Sequence, residues 1–134
     1  EALKKGANHC VVNRKIVKSP KLIKVYDVMK FMTDLAREKR KVSNAKFIGI
    51  TGSSGKTTLK MLLSKCLSQY GDTHFSPKSF NNHFGVPFSL SNLKDKNLFS
   101  VNELGMSSEG EIKKLSGLIK PDISVITNIS SRNS

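Results

Sequence analysis

The chain has 134 residues, enough for one ordinary domain with its own core, and its 23 Lys and Arg against 10 Asp and Glu give a formal net charge of +13. It contains no signal-peptide pattern and no apolar run of membrane length, so we expect a cytoplasmic protein without membrane insertion. The two cysteines are far apart in apolar patterns, which argues against a disulfide framework or a metal pair. We predict that Cys10 and Cys66 are reduced core thiols.

The first part of the chain has the pattern of the end of a small α/β unit. A helix tail over residues 2–5, a strand around residues 10–12 and a second strand over residues 22–25 are predicted, with turn residues between them. No candidate catalytic residue stands out in this part of the sequence.

An amphipathic helix is predicted next, with Asp27 as its N-cap. Its apolar positions follow helical spacing, at Val28, Phe31, Met32 and Leu35. The polar run through Ser43 and Asn44 is the candidate domain boundary, which divides the chain into residues 1–42 and 43–134.

A glycine-rich loop between an apolar strand and a helix is the most informative feature of the chain. The strand covers residues 46–50, and apolar residues recur at helical spacing in the helix, at Leu59, Leu62, Leu63, Cys66 and Leu67. The loop and the start of the helix consist of Gly52, Ser53, Ser54, Gly55, Lys56, Thr57 and Thr58. Such a loop leaves backbone N–H groups unpaired at a helix N-terminus, where the helix dipole adds partial positive charge, so this stretch predicts a phosphate-binding site.

Two side chains of this loop suit a nucleotide. Lys56 supplies a mobile positive charge, and the Thr57 hydroxyl is placed to ligate Mg²⁺. Gly55 follows Gly52 by only three positions, so the motif is shorter than the usual P-loop. A Gly/Ser turn with a chance lysine is the alternative, but Gly-Lys-Thr-Thr at a helix start favours binding of nucleotide phosphates.

A pair of asparagines, Asn81 and Asn82, follows a short predicted strand at His74 and Phe75. Flanked by glycine and proline, such a pair usually forms only a turn. The functional alternative is that the two amides orient a ligand or the phosphates of a nucleotide. The three histidines lack the spacing of metal ligands.

A further strand is predicted over residues 98–104, with Glu103 close to its C-terminal end. In open α/β sheets, ligands bind beyond the carboxyl ends of the strands. Because Mg²⁺ prefers carboxylate oxygens, Glu103 is the candidate metal ligand, and a surface glutamate is the alternative.

A helix over residues 107–120 and a strand over residues 123–129 complete the pattern. Ser108 and Glu111 have the spacing of a capping box, and Pro121 stops the helix. Strands that alternate with helices indicate an α/β fold with a parallel, doubly wound P-loop sheet covered on both faces.

Four ordered blocks of the sequence resemble the Mur ligase family. They are Ile50-Thr51-Gly52-Ser53-Ser54-Gly55-Lys56-Thr57-Thr58, then Phe80-Asn81-Asn82 with Gly85-Val86-Pro87, then Glu103-Leu104-Gly105 with Gly110-Glu111-Ile112, then Lys120-Pro121-Asp122 with Ile126-Thr127-Asn128. The short glycine spacing is the family's own form of the loop. The resemblance implies that residues 43–134 are the first part of the central ATP-binding domain. More loosely, residues 1–42 resemble the end of the N-terminal domain that holds the UDP-sugar peptide, together with a linker helix.

The resemblance also implies a reaction. The blocks are most similar to those family members that join D-alanyl-D-alanine to UDP-N-acetylmuramoyl-tripeptide in peptidoglycan synthesis. Such an enzyme moves the γ-phosphoryl group of ATP onto a peptide carboxylate, and an amine then attacks the acyl phosphate. Positioning and charge neutralisation supply most of the catalysis in such a transfer.

By the same resemblance, residues 52–58 bind ATP, with Lys56 on the phosphates. Thr57 and Glu103 hold Mg²⁺, and Asn81 and Asn82 line the nucleotide and substrate cleft. One position departs from the family pattern, because Asn133 stands where the family usually has a histidine that contacts a second metal ion.

Two other functions fit the residues without the resemblance. The same loop serves P-loop ATPases and phosphotransferases that act on a small anion. The positive charge also suits a nucleic-acid-binding module, since residues 1–48 hold 13 Lys and Arg against four acids. We rank a solvated or substrate-steering surface first, because aromatic residues do not alternate with the basic runs, and expect no nucleic-acid partner.

The chain reads as a piece of a longer protein, since it starts within a predicted helix and stops soon after a predicted strand. The rest of a Mur ligase, including its C-terminal domain, would lie beyond it. We therefore expect that this piece alone is inactive and that the enzyme is a monomer.

Overall fold

The computed structural model describes residues 1–14 and 18–130. Its strands are β1 (Cys10–Val12), β2 (Leu22–Lys24), β3 (Lys46–Thr51), β4 (Thr73–Phe75), β5 (Phe99–Glu103) and β6 (Ile123–Ile126). Its helices are a 3₁₀ turn (Leu3–Lys5), α1 (Val28–Val42), α2 (Lys56–Leu67), α3 (Gly85–Ser91) and α4 (Glu111–Ile119). Asn133, which stands where the family pattern has a histidine, lies outside the described residues. No helix in the described part of the chain is long and apolar enough to cross a membrane.

The main sheet has four parallel strands in the order β4-β5-β3-β6, and β1 pairs with β2 in a separate parallel pair. The α/β fold with a parallel sheet is therefore confirmed. In β3, the side chains of Phe47 and Ile50 are fully buried, as expected for a central strand that is covered on both faces. Because all four strands run the same way, their carboxyl ends meet at one edge, where the glycine loop and Glu103 lie.

Two separate apolar clusters cover the faces of this sheet. On one face, Ile48, Ile50 and Val101 pack against partly buried leucines of α2. On the other face, Phe47 and Leu104 join buried residues of α1, α3 and α4. The alternation of side chains along β3 sends successive residues to opposite faces, so this strand contributes to both clusters.

Helix α1 packs against α3 and α4 rather than standing apart from the main sheet. Its Asp27 cap accepts hydrogen bonds from the N–H groups of Met29 and Lys30. Near its other end, Arg40 donates hydrogen bonds to the carbonyls of Ile119 and Lys120 and lies over the Phe47 ring. The division of the chain after residue 42 stays a prediction.

Several predicted elements differ in the structure. Helix α3 was not predicted, because Pro87 and its neighbours indicate a turn, but proline is tolerated in a first helical turn. Helix α4 begins at Glu111 rather than at residue 107, and no capping box forms, because the Glu111 carboxylate accepts from the Ser107 N–H group instead. The last strand ends at Ile126, short of residue 129.

The prediction that both cysteines are core thiols is wrong for Cys66, which is exposed, while Cys10 is half-buried. The buried residues of α2 are Lys60 and Ser64, with Leu59, Leu63 and Leu67 partly buried beside them. The helix is thus rotated so that Cys66 faces away from the sheet. Apolar spacing alone did not determine this rotation, because a polar stripe also lies on the buried face.

Candidate nucleotide-binding site

The loop between β3 and α2 bends where two glycines adopt left-handed backbone angles. Gly52 has φ 138° and Gly55 has φ 78°. A Cβ atom on Gly52 would lie 2.1 Å from Thr127 Oγ1, so the cradle has room only for a glycine there. The predicted strand, loop and helix are all present, and Gly55 is the N-cap of α2.

The end of β6 holds this loop in place. The Ser53 N–H donates to the Asn128 carbonyl at 3.0 Å, and the Ser54 N–H donates to Asn128 Oδ1 at 3.0 Å. In return, Asn128 Nδ2 donates to Ser54 Oγ and the Thr127 hydroxyl donates to the Ser54 carbonyl. Asn128 therefore holds both serines of the loop, Ser53 through its backbone carbonyl and Ser54 through its side chain.

The Lys56 ammonium lies over the bend. Its Nζ donates to the Gly52 carbonyl at 2.6 Å. Lys56 also lines an open cleft of about 760 Å³, together with Ser53, Asn81 and Gly105. No side chain among the described residues caps α2, so the N–H groups of its first turn, including that of Thr57, stay available to an anion.

The carboxylate of Glu103 lies beneath the start of α2. Glu103 is 2% exposed, and its Oε2 accepts from the Thr57 hydroxyl at 2.9 Å. Its Oε1 accepts from Asn81 Nδ2 at 2.9 Å. Ser79 Oγ lies 2.9 Å from the same Thr57 hydroxyl. Three separate segments of the chain thus meet at one carboxylate.

A second charged group lies behind this carboxylate. Lys60 is fully buried, and its Nζ lies 3.4 Å from Glu103 Oε2. The same ammonium donates to the Lys78 carbonyl at 2.7 Å and to Ser76 Oγ at 3.2 Å. The ammonium thus has two hydrogen-bond acceptors and a carboxylate at ion-pair distance, so its buried charge is paired.

The family model for the Mur ligase middle domain matches residues 50–132, which include the glycine loop, Glu103 and the end of β6. The chain belongs to the Mur ligase family. The resemblance seen in the four sequence blocks is therefore confirmed.

Individual Mur ligases are similar along most of this chain. The UDP-N-acetylmuramoyl-tripeptide–D-alanyl-D-alanine ligase of Rickettsia prowazekii is 38% identical over 133 residues, or 97% of this chain. A crystal structure of MurF from Acinetobacter baumannii superposes with a TM-score of 0.86 at 32% identity, over 98% of this chain. MurF from Thermotoga maritima, solved in complex with ADP, gives a TM-score of 0.78 at 33% identity, over 95% of this chain.

This Mur ligase chain spans only part of those proteins. It covers 29% of the length of the Rickettsia ligase, 29% of the Acinetobacter structure and 30% of the Thermotoga structure.

The polar groups at the bend include hydrogen-bond donors that suit a phosphate group and oxygen ligands that suit a hard divalent cation. The uncapped first turn of α2 and the Lys56 ammonium are donors for phosphate oxygens. The Thr57 hydroxyl and the Glu103 carboxylate are oxygen ligands of the kind that Mg²⁺ takes. Among the described residues, no group of three or more His, Cys, Asp or Glu could hold a metal ion. A Mg²⁺ ion here would therefore depend on phosphate oxygens and water for its other ligands.

The two predicted asparagines have different surroundings in this Mur ligase. Asn81 lies in the cleft and contacts Glu103. Asn82 instead accepts hydrogen bonds from the N–H groups of Phe84 and Gly85 and so supports the start of α3. Thr58 is exposed on the first turn of α2.

Sequence reasoning missed Lys60 and the clamp by Asn128. Lys60 lies four residues after Lys56 and between Leu59 and Leu63, so helical periodicity places it on the buried stripe and could have indicated it. Asn128 follows the last strand, but only the strand order, with β6 next to β3, brings it beside the loop. No sequence pattern predicts that neighbour.

Proposed function

We propose that this chain is the nucleotide-binding part of an ATP-dependent ligase that joins D-alanyl-D-alanine to UDP-N-acetylmuramoyl-tripeptide. The observation that carries the proposal is the meeting of Lys56, Thr57 and Glu103 at one glycine bend. The similar proteins of known name support the choice of substrates, and the ADP complex of the Thermotoga relative supports an adenine nucleotide.

In the proposed reaction, an oxygen of the peptide carboxylate attacks the γ-phosphorus of ATP, and ADP leaves. The amine of D-alanyl-D-alanine then attacks the carbonyl carbon of the acyl phosphate, phosphate departs with the electron pair of the broken C–O bond, and the amine loses a proton. The first step turns a poor leaving group into a good one. The protein therefore needs mainly to hold and neutralise phosphate oxygens.

Each residue at the bend has a proposed task. Residues 52–58 hold the phosphates, with the uncapped N–H groups at the start of α2 as donors, and Lys56 neutralises charge that develops on them. Thr57 and Glu103 would hold Mg²⁺, which when bound supplies further neutralisation of phosphate charge. Asn81, which lines the cleft, orients the Glu103 carboxylate, and Asn82 acts indirectly by supporting α3.

The proposal includes the wider setting of the enzyme. Residues 43–134 form the first part of the ATP-binding domain, and residues 1–42 form the end of the domain that binds the UDP-sugar peptide. The whole ligase is a cytoplasmic monomer without a nucleic-acid partner, and this piece alone does not turn over.

The test is ATP-dependent joining of D-alanyl-D-alanine to UDP-N-acetylmuramoyl-tripeptide by a full-length ligase that carries this segment. We expect Lys56→Ala to lower the rate by at least about a hundredfold, because it removes the positive charge that neutralises the phosphoryl group during transfer. Lys65→Ala is the matched control, since Lys65 is exposed on the same helix and should leave the rate unchanged.

The same assay separates the alternative. A ligase releases phosphate only when both the peptide and the dipeptide are present. Phosphate release that is independent of the dipeptide would contradict the proposal and favour an ATPase or phosphotransferase.

A further inference from the structure

Lys60 is a buried cation that does not line the cleft described above. Its side chain is fully buried, whereas Lys56, one helical turn earlier, lines the cleft. Lys60 is therefore unsuited to contact a bound nucleotide directly. Its ammonium instead contacts Glu103, the Lys78 carbonyl and the Ser76 hydroxyl.

Packing alone gives a weak reason for a lysine at this position. A buried ion pair is often no more stabilising than apolar residues of similar volume, because both charges lose their hydration. A methionine could fill similar space between α2 and β5. The charge of Lys60 is thus better explained by its effect on Glu103 than by stability.

The pair of Lys60 and Glu103 presents no net charge to an approaching cation. A cation that took Glu103 Oε2 as a ligand would come within a few ångströms of the ammonium, because Lys60 Nζ lies only 3.4 Å from that oxygen. Even with the screening of bulk water, such a unit charge changes the affinity for a divalent ion by about tenfold, and by more in a buried site.

We propose that Lys60 is a built-in counter-ion of Glu103 that makes this carboxylate a poor site for a divalent cation alone. Negative charge from the nucleotide phosphates then offsets the repulsion between Lys60 and the metal ion, so that metal and nucleotide bind together. This inference rests on the proposed function, since it takes Glu103 as a ligand of the metal that accompanies ATP.

The test measures Mn²⁺ binding by electron paramagnetic resonance, without nucleotide, to a full-length ligase that carries this segment. We expect Lys60→Met to tighten Mn²⁺ binding by at least about tenfold. Methionine is chosen because it fills the place of the ammonium, so that the ion cannot simply occupy it. Structural damage would weaken binding, so a gain in affinity separates the two explanations.

Two controls identify the site of the gain. Lys65→Met makes the same change at an exposed position of the same helix and should leave Mn²⁺ binding unaltered. Adding Glu103→Gln to Lys60→Met should abolish the gain. Unchanged or weaker binding in Lys60→Met, or a gain that persists without the carboxylate, would overturn the inference.

A further comparison does not depend on the folding of the Lys60 variant. Without nucleotide, the unaltered ligase and its Glu103→Gln variant should bind Mn²⁺ equally weakly. Clearly tighter binding by the unaltered protein would overturn the inference. ATP binding by the unaltered ligase is measured separately, and its absence would refute the proposed function and this inference with it. If ATP binds normally while either Mn²⁺ comparison fails, only the inference falls.

Discussion

Gly52 has a backbone conformation and close neighbours that exclude any residue with a side chain. Its φ of 138° lies in the left-handed range, and an added Cβ would lie 2.1 Å from Thr127 Oγ1 and 3.0 Å from the Asn128 carbonyl. Gly117 offers the opposite case, because it lies within α4 and nothing described lies within 4 Å of an added Cβ.

The two glycines therefore predict opposite effects of alanine. Gly52→Ala should displace the loop from Asn128, destabilise the protein by about 1–3 kcal/mol and weaken ATP binding, because backbone strain adds to a steric clash. Gly117→Ala should stabilise α4 by up to about 1 kcal/mol and leave ATP binding intact. Urea denaturation and calorimetric ATP titration would measure both effects, and equal behaviour of the two variants would contradict the prediction.

His74 is a half-buried histidine whose Nε2 lies 3.2 Å from Ser89 Oγ, between β4 and α3. Burial lowers the pKa of His74 from its ordinary value of 6.5 to about 4. Above pH 6.5 the ring is neutral in both the folded and the unfolded chain, so it adds no pH dependence. Between about pH 6.5 and 4 only the unfolded chain takes up the proton, so the free energy of unfolding should fall with falling pH, by about 3 kcal/mol in total.

This contribution is measured as a difference between variants. NMR titration of the imidazole should place the midpoint of His74 near pH 4. The urea unfolding midpoint of the His74→Gln variant should fall less with falling pH than that of the unaltered protein. The midpoint of His83→Gln, a change at an exposed histidine, should fall as much as that of the unaltered protein. An ordinary midpoint for His74 would show that the ring is accessible to water in solution.

At the scale of elements, Arg40 links α1 to the end of α4 and to the main sheet. This side chain donates to the carbonyls of Ile119 and Lys120, which are left unpaired at the end of α4, and it lies 3.9 Å from the centre of the Phe47 ring. Ala36, fully buried, adds an apolar contact on the same side of α1.

Removing Arg40 should therefore loosen α1 from the sheet. We expect Arg40→Met to destabilise the protein by about 2 kcal/mol, because two charge-assisted hydrogen bonds are lost. Lys41→Met, next in sequence, should change the stability by less than about 0.5 kcal/mol, since Lys41 is exposed and makes only a 4.0 Å contact with Glu38. Hydrogen exchange should show faster opening of α1 only in the Arg40 variant, and equal exchange in both would argue against this anchor.

At the scale of the whole molecule, positive charge and open edges are the main surface features. The excess of Lys and Arg lies mostly in residues 1–48. Strands β4 and β6 are the edges of the four-stranded sheet, and Ile123 and Ile126 of β6 are more than half exposed. These apolar side chains are the part of the sheet least covered by the described residues.

The charge predicts only weak and unspecific binding of nucleic acid. We expect a dissociation constant for duplex DNA of about 10⁻⁴–10⁻⁶ M at physiological salt, which weakens steeply as salt is added. Lys56→Ala should not alter this binding, although we expect it to weaken ATP binding. Fluorescence anisotropy with labelled DNA measures the salt dependence and the effect of the variant on DNA binding. Tight, sequence-selective binding would instead support the nucleic-acid alternative.

Local patterns predicted much of this protein correctly. The strand, glycine bend and helix around Lys56 were predicted because β-branched residues, glycines and helical spacing each act over a few neighbouring residues. The same holds for the Asp27 cap and for the strand that ends at Glu103. The family followed from the order of short blocks, which is also a property of the chain itself.

Contacts between distant segments were decided only by the tertiary structure. The order β4-β5-β3-β6 brings Asn128 to the loop, and the rotation of α2 buries Lys60 against Glu103 while it exposes Cys66. Both depend on how whole elements pack, since many arrangements satisfy the same local preferences. A chain alone thus determines which residues can bind phosphate, whereas packing determines which charges surround them.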